Sequence, residues 1–249
     1  MNNFLSILSV LIFSFGTVFS QQELKENQFE GYIIMKNGDR RDGIIEISNI
    51  NLPWSFQETI KFFDKSLLDN KKVKKSEKEE CKPGDVIEYG IEGRRYLVVS
   101  YSNKNNVDGN ALNSAIGLAK NLSQTKFYAE LYREGKVSLY RFYNSPPEFY
   151  ITSGEQEGKD MHEYIEKCKN EFDILIEKGE EKAKAFDDVN IKKFFKDCDY
   201  VVKKYQDKKY TKQPVKGLKS MVQQSFIRGD ALAAAAMEMI EDYEANCAK

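Results

Sequence analysis

Two periods of apolar and polar residues divide this chain near residue 155. Before that point apolar side chains recur at every second position, as on a half-buried strand. After it they recur at every third or fourth, as on one face of a helix. The strand pattern is clearest at 126–133 and 136–143, on either side of the turn Glu134-Gly135. In the first segment Phe127, Ala129 and Leu131 alternate with Tyr128, Glu130 and Tyr132; in the second, Val137, Leu139 and Arg141 alternate with Ser138, Tyr140 and Phe142. An earlier hairpin is predicted from 31–36 and 43–47 around Asn37-Gly38, a dipeptide suited to tight turns that need positive φ. Another is predicted from 85–89 and 95–101 around Glu92-Gly93, introduced by Pro83-Gly84. Shorter strands are expected at 58–63 and, after Pro146-Pro147, at 149–152. The charged stretch 64–82 reads as a solvated loop, because the basic run Lys71-Lys72-Val73-Lys74-Lys75 is cancelled by Glu77, Glu79 and Glu80. Residues 102–125, with a weakly helical 110–121, read as an insertion between hairpins.

From Lys159 the apolar stripe comprises Met161, Tyr164, Ile165, Cys168, Phe172, Leu175 and Ile176, and predicts one continuous helix. A second stripe, Ile191, Phe194, Phe195, Cys198, Val201, Val202 and Tyr205, follows the polar stretch from Gly179 to Asp188. A third helix is expected over 215–227. Asp230 then caps a fourth, whose apolar face is Leu232, Ala236, Met239, Ile240, Tyr243 and Cys247. The expected fold class is α+β: a mainly antiparallel β-sheet domain over 28–153, followed by a helical hairpin or bundle over 157–249. The pattern leaves open whether the helices pack on the sheet or stand apart.

Ahead of both parts lies a nearly unbroken apolar run, 4–19, with no charged side chain before Glu23. Its length suits the core of a signal peptide, and Val18 and Ser20 are small enough for the two key positions before a cleavage site. Residues 1–20 are read as that signal peptide, although only the terminal amine supplies its positive charge, and the exported protein as starting at Gln21. Roughly 20 apolar residues also suffice to span a bilayer, so an uncleaved anchor is the competing reading; Gly16 and the small residues after it favour cleavage. No later segment has the length and apolarity to span. The expected location is periplasmic, outer-membrane-associated or extracellular. With 38 basic and 39 acidic residues the charge is balanced, and nothing favours nucleic acid or an anionic membrane as partner.

Four cysteines in an exported chain point to disulfides. Cys168 and Cys198 are equidistant from Ala183, within the expected helical turn, and both lie on apolar stripes. The expected pairs are therefore Cys168 with Cys198, and Cys81 with Cys247, the second tying the strand part to the last helix. Buried, inert thiols are the alternative.

Little in the sequence carries chemistry. The single histidine, His162, sits beside its stripe on the solvent edge, and Glu166 stands where a His-Glu-x-x-His zinc helix needs its second histidine. There is no Gly-x-Ser-x-Gly elbow, no Gly-rich phosphate or dinucleotide loop and no calcium-ligand spacing. No catalytic residue, metal ligand or cofactor is predicted. A hydrolase working through two carboxylates roughly 5–10 Å apart stays open, since such a pair leaves no mark in a sequence. Strand aromatics, Tyr128, Tyr132, Tyr140, Phe142 and Tyr143, could make a stacking platform for a sugar or peptide, but the same residues suit the packed face of a pleated sheet.

Several turn motifs recur together: Gly31-Tyr32-Ile33, Asn37-Gly38-Asp39 and Gly43-Ile44-Ile45; Pro83-Gly84-Asp85-Val86 with Gly93-Arg94-Arg95-Tyr96; Gly135 to Tyr140; and Asp197-Cys198. In these the chain, over about residues 30–210, resembles a loosely defined group of uncharacterised exported bacterial envelope proteins with a hairpin-rich first half and a helical end. The resemblance implies export from a Gram-negative type of cell and transfers no functional residue. The expected function is a non-catalytic interaction or binding module for an envelope protein or ligand. The alternatives are a carboxylate-dependent hydrolase of envelope glycans or peptides, or a small-ligand carrier.

Overall fold

The structure is a computed structural model that describes residues 23–69, 72–102, 125–145, 155–179, 181–210 and 229–247. The expected signal peptide, the segment 110–121, the strand at 149–152 and the helix at 215–227 lie outside the described residues.

The fold class is α+β. Among the described residues ten strands form one sheet with antiparallel neighbours: β1 (Gln28–Met35), β2 (Arg40–Glu46), β3 (Ile60–Phe63), β4 (Glu79–Cys81), β5 (Val86–Ile91), β6 (Arg94–Tyr101), β7 (Thr125–Arg133), β8 (Val137–Tyr143), β9 (Phe172–Lys178) and β10 (Lys184–Ala185). Their order is β10-β9-β8-β7-β6-β5-β1-β2-β3-β4. Turn chemistry seats the hairpins where the alternation puts them. Between β5 and β6 both turn residues have positive φ, Glu92 at 49° and Gly93 at 75°, the geometry whose twist matches the flanking strands.

The strand half is a partly closed barrel rather than an open sheet. Only residues 82–85 join the outer strand β4 to β5, although β1, β2 and β3 lie between them in the sheet. Four strand spacings amount to roughly 19 Å, and the connection is folded into a turn, with Asp85 N–H donating to Lys82 O at 3.1 Å. So short a link demands that the sheet curl until β4 returns over β5. Cys81 accordingly shares one apolar cluster with Val86, Tyr89 and Tyr128, and the Tyr128 hydroxyl donates to Cys81 O at 3.4 Å. Ile33, Ile45, Ile60, Phe62 and Ile91 fill the same interior.

The second half departs from the expected helical hairpin. Helix α1 (Glu155–Asn170) ends before Phe172, and the rest of the predicted stripe is strand β9. β9 pairs along its whole length with β8, from Tyr143↔Phe172 to Val137↔Lys178. Ile174 and Ile176 go under the helices while Leu175 is buried on the opposite face. A strand buried on both faces reads as a continuous apolar run, which a helical stripe mimics. The sheet thus runs past residue 153, through β10.

Among the described residues three further helices, α2 (Ile191–Phe194), α3 (Asp199–Gln206) and α4 (Gly229–Asn246), pack on the sheet itself. Their apolar sides close over Val137, Leu139, Ile174 and Ile176, with Phe186, Phe195, Val201, Met239 and Ile240 at the centre. Ala233, Ala235 and Ala236 are buried here, small side chains that let α4 approach its neighbours closely. Among the described residues no helix is long and apolar enough to cross a membrane.

The expected cysteine pairing is corrected. The disulfide is Cys198–Cys247, with Cα atoms 5.5 Å apart, and Cys81 and Cys168 are free and buried. The pairing of Cys168 with Cys198 presumed a first helix that runs on past Phe172 and turns back as an antiparallel partner; α1 instead stops at Asn170, and β9 carries the chain on along β8. Cys81 lies inside the curled sheet, whereas Cys247 packs on the helical cluster. Burial, with Glu79 nearby, pushes the Cys81 thiol up to about 12, so it stays protonated and inert at neutral pH.

Candidate functional site

Directly paired residues of antiparallel strands share a face. The registers Tyr89↔Tyr96, Tyr96↔Glu130, Glu130↔Arg141 and Arg141↔Ile174 therefore set one row across five strands, on the concave side. Tyr89 lies in the barrel core and Ile174 under the helices. Between those two covers, Glu130 and Arg141 interrupt the apolar row with an ion pair at 3.5 Å.

The segment after β2 folds over this row. A 3-10 turn, Pro53–Phe56, brings Phe56 down onto the sheet, and the Tyr89 hydroxyl donates to Phe56 O. Gln57 then acts as a wedge. The β7–β8 register, carried on from Glu130↔Arg141, would set Tyr128 opposite Tyr143. Instead Tyr128 N–H donates to Gln57 O at 3.0 Å. The Gln57 side-chain amide takes the place of a strand on the other side: its Nε2 donates to Tyr143 O at 2.6 Å, and its Oε1 accepts from Tyr143 N–H at 2.5 Å. The two strands are splayed by a side chain that satisfies the groups it separates, as a buried backbone requires.

The result is a cleft of about 380 Å³ at one mouth of the curled sheet, lined by Phe29, Ile50, Pro53, Phe56, Gln57, Glu92, Arg94, Tyr96, Glu130, Arg141 and Tyr143. Its inner wall is a column of rings. Phe56 stacks on Tyr96 (5.9 Å, 17° between planes), Tyr96 on Tyr89 (4.6 Å, 5°), and Tyr128 meets Tyr89 edge-on at 4.9 Å. The Arg94 guanidinium lies 5.3 Å from the Phe56 ring centre and 5.9 Å from that of Tyr96, and its Nη2 reaches Glu92 at 3.2 Å. Arg141 is held by rings too, Phe172 at 4.7 Å and Tyr132 at 5.4 Å.

Hydrogen-bonding capacity is left over. Arg141 Nε is buried with no partner among the described residues, and the 3.5 Å contact of Nη1 with Glu130 is the only ion pair they give this guanidinium. Burial raises the Tyr96 and Tyr143 phenols above their ordinary value, partly opposed by the neighbouring arginines. Both hydroxyls are therefore neutral donors at physiological pH.

The residues expected to form a stacking platform do not form one. Tyr128, Tyr140 and Phe142 are buried. Tyr128 faces the barrel interior, while Tyr140 and Phe142 pack on the opposite face with Leu175. Only Tyr132, the extra residue of a bulge in the β7–β8 register, is exposed. Tyr143 alone of the expected aromatics lines the cleft. His162 is on the surface of α1. Among the described residues no cluster of histidine, cysteine and carboxylate side chains could hold a metal ion. Phe56, Gln57 and Arg94 escaped the sequence reading. The available signal was a charged residue on an otherwise apolar strand face, Arg141 after Val137 and Leu139, with Glu130 between Tyr128 and Tyr132.

The convex side carries a second polar group. Glu88 accepts from Arg95 at 2.8 and 2.9 Å and from the Tyr32 hydroxyl at 2.6 Å. Arg40 lies 3.8 Å over the Tyr32 ring. These groups satisfy one another.

Comparison of the chain with protein-family models, with curated proteins and with solved structures finds no match.

Proposed function

We propose that this protein is an exported, non-catalytic binding module whose ligand seat is the cleft at the mouth of the curled sheet. The observation that carries the reading is the lining: four rings and two arginines around about 380 Å³, with phenol and guanidinium donors that the described residues leave unused. Small-molecule sites have volumes of about 300–1,000 Å³, mostly apolar walls and a few convergent polar groups, and barrel mouths are a recurrent place for them. The lining among the described residues contains no serine, threonine, cysteine, histidine or lysine, so it offers none of the Ser–His, Cys–His or lysine arrangements of covalent catalysis. Its two carboxylates each sit beside an arginine, which gives a carboxylate hydrolase no support. The apolar run 4–19 and the Cys198–Cys247 disulfide are the grounds for export.

Native mass spectrometry of the protein purified from its own cells tests the reading. The expected result is a retained small molecule whose removal shifts the emission of Trp54, the chain's single tryptophan, which sits in the Pro53–Phe56 turn. Protein that emerges empty, with a Trp54 signal indifferent to a metabolite extract, would overturn it. A retained protein partner instead would favour an envelope interaction module.

A further inference from the structure

Resting on that reading, we infer that the cleft takes an organic carboxylate carried on a flat, apolar body. The balance of donors and acceptors points there. Among the acceptors, Glu92 and Glu130 each face an arginine, and both atoms of the Gln57 amide are used by the Tyr143 backbone. Among the donors, the Tyr96 and Tyr143 hydroxyls have no hydrogen bond to a described residue, and the Arg141 guanidinium is engaged through a single 3.5 Å contact. What the cleft lacks is an acceptor, and a guanidinium fork is best matched by a carboxylate. Phe172 and Tyr132 flank Arg141 and restrict its side chain, which lessens the ordering to be done on binding.

A cationic ligand fits poorly. It would meet two arginines, and the ring faces of Phe56 and Tyr96 that could attract it are occupied by Arg94. The body of the ligand follows from the rest of the lining, where Phe29, Ile50 and Pro53 offer apolar surface.

The test titrates the full chain with benzoate, benzamide and benzylammonium at low salt, following Trp54 emission and heat. Hydrogen bonds to a charged group are worth about 1.5–3 kcal/mol, so benzoate is expected to bind roughly ten- to hundredfold tighter than benzamide, with benzylammonium weakest. Arg141→Gln should equalise benzoate and benzamide. Arg141→Lys keeps the charge and the aliphatic stem, and should retain only part of the preference; it guards against a fold lost in the glutamine variant. Benzamide or benzylammonium binding as tightly as benzoate, with Trp54 still responding, overturns the carboxylate assignment and leaves the cleft as the seat. So does a benzoate preference that survives Arg141→Gln. Silence from all three probes, together with empty protein from cells, removes the seat itself.

Discussion

The two halves of the sheet close their cores by different means. The curled half uses rings: Phe56, Tyr96 and Tyr89 stack in a column, and tyrosine hydroxyls reach main-chain carbonyls on neighbouring segments, Tyr89 to Phe56 and Tyr128 to Cys81. The other half uses aliphatic side chains under an alanine-rich helix and a covalent tie, with ion pairs at its edge such as Arg133–Glu244 at 2.5 Å and Lys204–Asp242 at 2.8 Å. A helix laid on a sheet seals the surface beneath it. A curled sheet leaves a mouth, and a ring column leading into that mouth presents flat faces and polar edges to whatever enters. The cleft lies where one mode of closure gives way to the other.

The sharpest way to separate the halves is to remove one buried ring from each. Tyr89→Ala is expected to cost about 5 kcal/mol, the upper end for a large-to-small core change, because it also strips the Phe56 carbonyl of its donor. Phe195→Ala, at the centre of the helical cluster, should cost about 3–5 kcal/mol. Urea unfolding gives both values. Under native conditions only Tyr89→Ala should alter Trp54 emission and ligand binding; equal effects from both variants would mean that the mouth is not built by the ring column.

Next comes the disulfide. Cys198 and Cys247 are 49 residues apart, and closing a loop of that length stabilises by about 4 kcal/mol in the chain-entropy account. The double variant Cys198→Ala/Cys247→Ala should lose most of this. Amide exchange should rise first in α4 and α3, which the bond joins, while β1, β2 and β5 keep their protection. A uniform rise would show that the two halves unfold as one unit.

Gln57→Ala is expected to cost less, about 2–3 kcal/mol, from two backbone groups of Tyr143 left unpaired in a buried place. Its distinctive consequence is geometric. With the wedge gone, this wall of the cleft is no longer held, so faster amide exchange at Tyr143 together with weaker ligand binding is the predicted signature. Faster exchange at Tyr143 with unchanged binding would mean that the splay is imposed elsewhere.

These contrasts also mark what a sequence can disclose. The β5–β6 hairpin was legible because Glu92-Gly93 is a local instruction, read by the backbone of two residues. β9 was not, since Phe172, Leu175 and Ile176 continue a helical period begun at Met161, and only pairing with β8 decides between the two structures. The disulfide followed β9, because one wrong element moved Cys168 away from Cys198. Gln57 carries no local signal at all: its role arises from meeting Tyr143, 86 residues away. Arg141 and Glu130 were visible as charges on apolar strand faces, but a strand pattern alone does not say which strands will set them side by side.

The smallest expected effect belongs to the convex face and concerns pH. Glu88 is 7% exposed, on the side of the sheet opposite the cleft. The Arg95 guanidinium holds its carboxyl below the usual range, against the opposing effect of burial and with help from the Tyr32 hydroxyl. The geometry depends on Gly90, where a Cβ would come within 2.2 Å of the Tyr32 ring. A carboxyl whose pKa is lower in the folded state than in the unfolded chain contributes stability that is fully present above the unfolded value, about 4.3. That contribution is lost as pH falls from there through the folded value. The urea midpoint should therefore drop as pH is lowered below about 4.3, and Glu88→Gln, less stable at neutral pH, should show a shallower drop in the same window. The arginine of the cleft gives the comparison its control, because Arg141→Gln removes no depressed carboxyl and should leave the slope contributed by Glu88 in place. If Glu88→Gln instead preserves the full acid slope, the convex network is a surface ornament of the barrel and not one of its fastenings.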